Sequence, residues 1–149
     1  MEAKMENPDR VRERAAYFGW SVDLSSPTVD DIIRRVEEGF DVQVLERFRR
    51  MLDLSVDAAA SLLGTSARTL ARRQKEGHLQ ETESDRLYRI VRLFERAVDV
   101  FGNQEDARIW MWRPQWGLGG AIPLEYARTD PGAREVESLL DRIDYGVTP

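Results

Sequence analysis

The 149-residue chain holds 22 Lys and Arg against 27 Asp and Glu, a formal net charge of −5, with 42% hydrophobic, 33% charged and 9% aromatic residues. That is enough apolar material for a core, so wholesale disorder is excluded, and the length suits one compact domain or two small ones sharing a helical core. With no Cys there is no disulfide scaffold, thiol nucleophile or Cys-based zinc site, and no apolar run approaches the ~18 residues of a membrane span.

In chain order, residues 1–28 read as an amino-terminal arm. Met1 to Asp9 lacks a signal-peptide apolar region, so the cytoplasm is the expected compartment. Tyr17-Phe18-Gly19-Trp20 carries too many aromatics for an idle tail. From Thr28 the pattern is helical: Val29, Ile32, Ile33 and Val36 keep the i, i+3, i+4, i+7 rule, and Gly39 suits the stop. Asp41 caps a segment striped by Val44, Leu45, Phe48, Met51 and Leu52. Ser55 caps a short helix with Val56, Ala59, Ala60 and Leu63 on one face. After Gly64-Thr65, Ser66 caps another with Ala67, Leu70 and Ala71 inward.

Thr82-Glu83-Ser84-Asp85 opens a long helix in which Leu87, Ile90, Val91, Phe94, Ala97, Val98 and Phe101 hold the period, and Gly102 ends it. Asn103 caps a shorter helix with Ala107, Trp110 and Met111, stopped before Pro114. A loop leads to Pro123 at a first helical position and a brief helix through Ala127. Asp130-Pro131 starts the last helix, with Val136, Leu139, Leu140 and Ile143 inward and Gly146 at its close. No alternating strand run occurs, so the expected fold is all-α.

Catalytic chemistry finds little support. His78 is the single histidine, so neither a multi-His metal site nor a His-based relay can be assembled. Nucleophile-elbow and phosphate-loop patterns are missing, and Gly117-Leu118-Gly119-Gly120 reads as a tight turn. Not an enzyme, no metal and no cofactor is the expectation.

Charge is unevenly spread. Residues 1–50 hold nine basic and eleven acidic residues, 51–101 eight of each, and 102–149 five against eight. Binding to nucleic acid therefore has to rest on a local patch. Residues 56–75 supply one, as two short helices around a glycine turn, the geometry that docks in a major groove. Ala59 and Ala60 let the helices approach, and Leu70 packs across the turn. On the second helix Arg68, Arg72 and Lys75 share a face, with Ser66, Thr69 and Arg73 nearby. No acid interrupts residues 66–75, so their four basic side chains give a local +4 suited to phosphate contact and guanine reading. Gln80 and Ser84 stand where they could approach the same backbone. Two positions depart from the common pattern: Thr65 replaces an aliphatic, and Arg73 stands where a buried aliphatic anchors the second helix. A bundle helix pair with a basic solvated face fits the same residues.

The carboxy-terminal third is rich in aromatics. Trp110 and Tyr126 fall on core faces, whereas Trp112 and Trp116 flank Arg113-Pro114 in a loop and are hard to bury. Exposed Trp, Tyr and Arg are the usual hot-spot composition of an interface. The acids Glu135, Glu137, Asp141 and Asp144 read as a solvated face, one that also suits a basic partner. Tyr145, Gly146, Val147, Thr148 and Pro149 form a short tail, either a frayed end or a segment that threads into a partner's cleft.

Trp110 and Pro114, then Leu118-Gly119-Gly120, Pro123-Leu124, Thr129, Gly132, Val136, Leu140 and Tyr145-Gly146, resemble the toxin-binding domain of the Xre/MbcA/ParS-like antitoxins. Arg68-Thr69-Leu70, Arg72-Arg73 and Gly77-His78-Leu79 resemble the recognition-helix region of the Xre-like helix-turn-helix domain that precedes it in that family. The resemblance covers about residues 29–149, with Trp116 and Ile122 replacing residues that are commonly smaller or polar. It implies an Xre-like helix-turn-helix domain over 29–101 and a small helical toxin-binding domain over 102–149. It further implies a type II antitoxin whose partner is a RES-domain toxin from the same operon, acting on NAD or ADP-ribosylating a target. Family members dimerise, cover the toxin's cleft with the carboxy-terminal domain, and often repress their operon by binding operator DNA. On this reading Trp112, Arg113, Trp116 and residues 145–149 face the toxin, and the NAD chemistry belongs to the partner. A free-standing helix-turn-helix regulator, and an antitoxin whose helix-turn-helix is only scaffold, stay open.

Overall fold

The computed structural model describes residues 28–146. The arm up to Pro27, with its aromatic cluster, and Val147, Thr148 and Pro149 lie outside the described residues. Among the described residues eight α-helices follow one another: α1 (Val29–Glu38), α2 (Val42–Leu52), α3 (Val56–Leu62), α4 (Ala67–Glu76), α5 (Glu81–Phe101), α6 (Gln104–Trp112), α7 (Pro123–Tyr126) and α8 (Asp130–Asp144), with a 3-10 turn at Trp116–Leu118. Among the described residues the extended pairing is confined to an isolated bridge between Asp41 and His78, so the fold is all-α.

Side-chain caps set most of the starts. Thr28, Asp41, Ser55, Ser66, Asn103 and Thr129 each accept a hydrogen bond from a backbone N–H in the turn that follows, satisfying donors a helix leaves orphaned. The long helix α5 begins earlier than Thr82. Gln80 is its cap residue, and the Glu83 carboxylate reaches back to accept the Gln80 N–H at 2.8 Å.

The stripes read from the sequence converge on one core. Val44, Leu45, Phe48 and Leu52 of α2, Leu87, Ile90, Val91, Phe94 and Ala97 of α5, and Val136, Leu139 and Leu140 of α8 are buried in it together. α5 is the shared axis, packing against α1, α6 and α8, and Phe94 meets Phe48 edge-on at 6.4 Å. The apolar cluster thus runs unbroken past residue 101, through the long helix.

Three stripes are only partly covered, one of them that of α3, whose Val56 is exposed. α1 has no buried residue: Ile32 and Val36 touch the core, while Val29 and Ile33 are exposed, because α5 covers only one side of the stripe. In α4 the inward residues are Leu70 and Arg73, and Ala71 faces outward. Two close approaches hold the turns. Gly64 has φ +68°, and a Cβ there would overlap the Arg86 guanidinium, which donates to the Leu63 carbonyl at 2.8 Å and closes the end of α3. At Gly132 a Cβ would overlap the Tyr126 carbonyl, so only glycine lets α7 and α8 meet so tightly.

Candidate functional site

The helix-turn-helix is α3, the Leu63–Ser66 turn and α4. Ala59, Ala60, Leu63 and Leu70 are buried between the helices, as small and aliphatic contact residues require. Ser66 is engaged as the cap of α4: its hydroxyl accepts the Thr69 N–H at 3.1 Å and donates to the Thr69 hydroxyl at 3.1 Å. Arg68, Arg72 and Lys75 are exposed. Arg72 has Glu76 within 3.8 Å, a solvated pair one helical turn away that leaves its guanidinium accessible.

Arg73 does not join that face. It is buried, its Nε donating to Glu83 at 2.7 Å and its NH1 to Glu76 at 3.1 Å. The hydrogen bond to Glu83 raises its pKa above the ordinary guanidinium value, so it is charged in the interior. Arg73 therefore anchors α4 to the start of α5 in the place an aliphatic usually takes, and the basic face is reduced to Arg68, Arg72 and Lys75. Ser84 is also withdrawn: it is buried, and its hydroxyl accepts the Phe40 N–H at 2.9 Å.

At the other end, Trp116 is 94% exposed on the 3-10 turn, with Arg113 exposed beside it in sequence. The turn is tightly closed. Gln115 donates its backbone N–H to Ala121 at 3.0 Å and its side-chain amide to the Trp110 carbonyl at 3.1 Å, while Gly120 donates back to Gln115 at 2.9 Å. A rigid platform that leaves an indole in water fits a binding surface. Trp112 departs from expectation. It is the last residue of α6, half-buried, and its indole N–H donates to the Leu52 carbonyl at 2.8 Å, so it ties the two halves together. Trp110 lies on the core side against Phe101, with ring centroids 5.5 Å apart. Tyr126 is 41% exposed, because the one-turn helix α7 directs it into a cleft of about 510 Å³. Ser61, Gly64, Arg128, Pro131 and Glu135 also line that cleft.

Tyr145 is 73% exposed just past α8, and Gly146 follows with φ +71°. The acids of α8 are not simply a solvated face. Arg96 donates to Asp141 from Nε at 3.0 Å and from NH2 at 2.9 Å, and from NH2 to Asp144 at 2.9 Å. Arg92 approaches Glu137 and Arg89 approaches Asp130, each at 3.9 Å. The signal was present in the spacing. Arg89, Arg92 and Arg96 lie at i, i+3 and i+7, and Asp130, Glu137, Asp141 and Asp144 repeat at similar helical intervals. Their rising order on both helices shows that α5 and α8 run parallel.

Among the described residues no group of three or more His, Cys, Asp or Glu could hold a metal ion, and no helix is long and apolar enough to cross a membrane. The family model described as the antitoxin Xre/MbcA/ParS carboxy-terminal toxin-binding domain matches residues 96–146, and that of the antitoxin Xre-like helix-turn-helix domain matches residues 31–92. The two matches meet inside α5. A protein named antitoxin Xre from Yersinia enterocolitica is 32% identical over 139 residues, covering 92% of this chain and 93% of that one. Another antitoxin Xre, from Photorhabdus laumondii, is 31% identical over 125 residues, 83% of this chain and 82% of its own length. A third, from Pseudomonas putida, is 34% identical over 80 residues, 53% of this chain and 50% of that one.

Proposed function

The chain belongs to the Xre/MbcA/ParS antitoxin family, and from that premise we propose that it is a type II antitoxin that occludes the active-site cleft of a RES-domain toxin encoded beside it. It is a binding protein of the cytoplasm, not an enzyme, and any NAD chemistry lies in the toxin. The observation that carries the reading is the pairing of an exposed Trp116 on a hydrogen-bonded turn with an exposed Tyr145 at the end of α8, both within the toxin-binding match. Arg113 and Trp116 anchor the complex, and Tyr145, Gly146 and the residues after them enter the cleft. Trp112 supports this surface from behind.

The test is co-expression with the protein of the adjacent reading frame, tagging only that partner, followed by size exclusion and cellular NAD measurement. Co-elution with restored NAD supports the reading. No complex and no protection sinks it, and points to a free-standing regulator. Trp116→Ala is expected to weaken inhibition by about tenfold or more, the size of an interface hot spot.

The same premise supports operon autoregulation by a homodimer through Arg68, Arg72 and Lys75, with Ser66 and Thr69 at the helix start. Arg68→Ala with Arg72→Ala should lower operator affinity several-fold and flatten its salt dependence. Unchanged binding would leave the helix-turn-helix as scaffold. That second reading draws on the inward turn of Arg73 and on Glu76 beside Arg72, which together thin the basic face.

A further inference from the structure

Tyr145 and Gly146, where the proposed inhibitory tail begins, are exposed. The direction of Tyr145 is set by the last turn of α8, where its backbone N–H donates to the Asp141 carbonyl at 3.0 Å. That turn is gripped from a different helix: one guanidinium, Arg96 of α5, holds Asp141 through two nitrogens and Asp144 through one, all at 2.9–3.0 Å. The grip is sheltered, with side-chain exposures of 23% for Arg96 and 24% for Asp144 against 47% for Asp141. Asp144 immediately precedes Tyr145. A planar fork bonded at two points one helical turn apart fixes both the rotation and the tilt of the helix end, which a single point charge would not do.

We propose that Arg96 is a positioning residue for toxin inhibition, holding the end of α8 so that Tyr145 enters the toxin cleft already aimed. This rests on the tail-occlusion reading. The physical gain is preorganisation: without the clamp, the terminal turn keeps only the packing of Ile143 and its backbone bonds, so it is freer to fray, and ordering it on binding subtracts from the affinity. Arg96 itself need not touch the toxin. The nearby pairs Arg92–Glu137 and Arg89–Asp130 are longer, at 3.9 Å, and lie farther back along α8, so they hold the body of the helix and not its end.

A double-mutant cycle tests this in the intact antitoxin with its purified toxin, reading the inhibition constant in an NAD-consumption assay. The four proteins are the full chain, Arg96→Ala, a chain ending at Asp144, and Arg96→Ala in that shortened chain. The expected result is that Arg96→Ala weakens inhibition by the full chain about fivefold to tenfold but changes the shortened chain hardly at all. Equal weakening in both backgrounds would show that the clamp serves only the fold, and would overturn the proposal. If shortening alone leaves inhibition intact, the tail reading fails and the proposal falls with it. Thermal melting of the four proteins shows that each is folded, and Asp141→Asn supplies a milder break of the same clamp should Arg96→Ala fail to fold. It is then expected to show the same dependence on the tail.

Discussion

Arg73 shows how one side chain can have two opposite readings. By composition it extends a basic stripe. In the fold it is 8% exposed and shares a single Glu83 oxygen, Oε1, with the Gln80 N–H, at 2.7 and 2.8 Å. That oxygen thus caps α5 and neutralises α4 at once. Removing one member of such a pair strands a buried charge, whereas replacing both with matched neutral groups does not. Glu83→Ala leaves Arg73 with only the more exposed Glu76, at 3.1 Å, and the Gln80 N–H without its acceptor, and is expected to cost about 1.5–3 kcal/mol in urea denaturation. Arg73→Leu with Glu83→Gln should lie within about 1 kcal/mol of the parent, since the glutamine can still accept the Gln80 N–H. A double variant as unstable as Glu83→Ala would mean that the charge itself holds the helix pair. The glycine at the α7–α8 contact makes a second point of this kind. Gly132→Ala drives a methyl into the Tyr126 carbonyl, which belongs to backbone and cannot swing away, and should cost about 1–3 kcal/mol by thermal melting.

At the level of elements, helix starts were legible because a cap is a local event. Asp41, Ser55, Ser66 and Asn103 each act within three residues of themselves. The cap of α1 carries a pH signature. Asp31 accepts the Thr28 N–H at 3.0 Å, and that backbone bond, ahead of the Thr28 hydroxyl and of Arg34, lowers its pKa below the ordinary 3.8. A lowered carboxylate contributes stability that is full above the ordinary value and lost as pH falls through the lowered one. Protection of the amides in the first turn of α1, taken relative to intrinsic exchange at each pH, should therefore fall below about pH 4, an acid response that Asp31→Asn removes. What a local reading of the sequence missed depends on partners far away in the chain. Trp112 read as a loop aromatic because its acceptor is the carbonyl of Leu52, 60 positions earlier. Asp141 and Asp144 read as solvated because Arg96 lies more than forty residues upstream, with separations of 45 and 48. The half-covered stripe of α1 has the same origin: periodicity reports that a helix is amphipathic, not how wide a face its neighbour covers.

For the whole molecule, the shared helix α5 decides how the two matched regions behave. The helix-turn-helix match ends at residue 92 and the toxin-binding match begins at 96, so a boundary drawn between them would cut α5 in its middle, between buried Phe94 and Ala97. One apolar cluster crosses that line, and Trp112 bonds α6 to the end of α2 across it. Two units with separate cores can melt separately, but two that share a core helix lose it together. The described core should accordingly melt in one transition, with tryptophan fluorescence, which in a Trp20→Phe background reports Trp110, Trp112 and Trp116, coinciding with helical circular dichroism. Trp112→Phe keeps most of the packing but leaves the Leu52 carbonyl without its donor. It should lower stability by about 1–2 kcal/mol while the two signals stay superimposed. If fluorescence and circular dichroism instead separated in this variant, the indole bond rather than the common helix would be what couples the two matched regions.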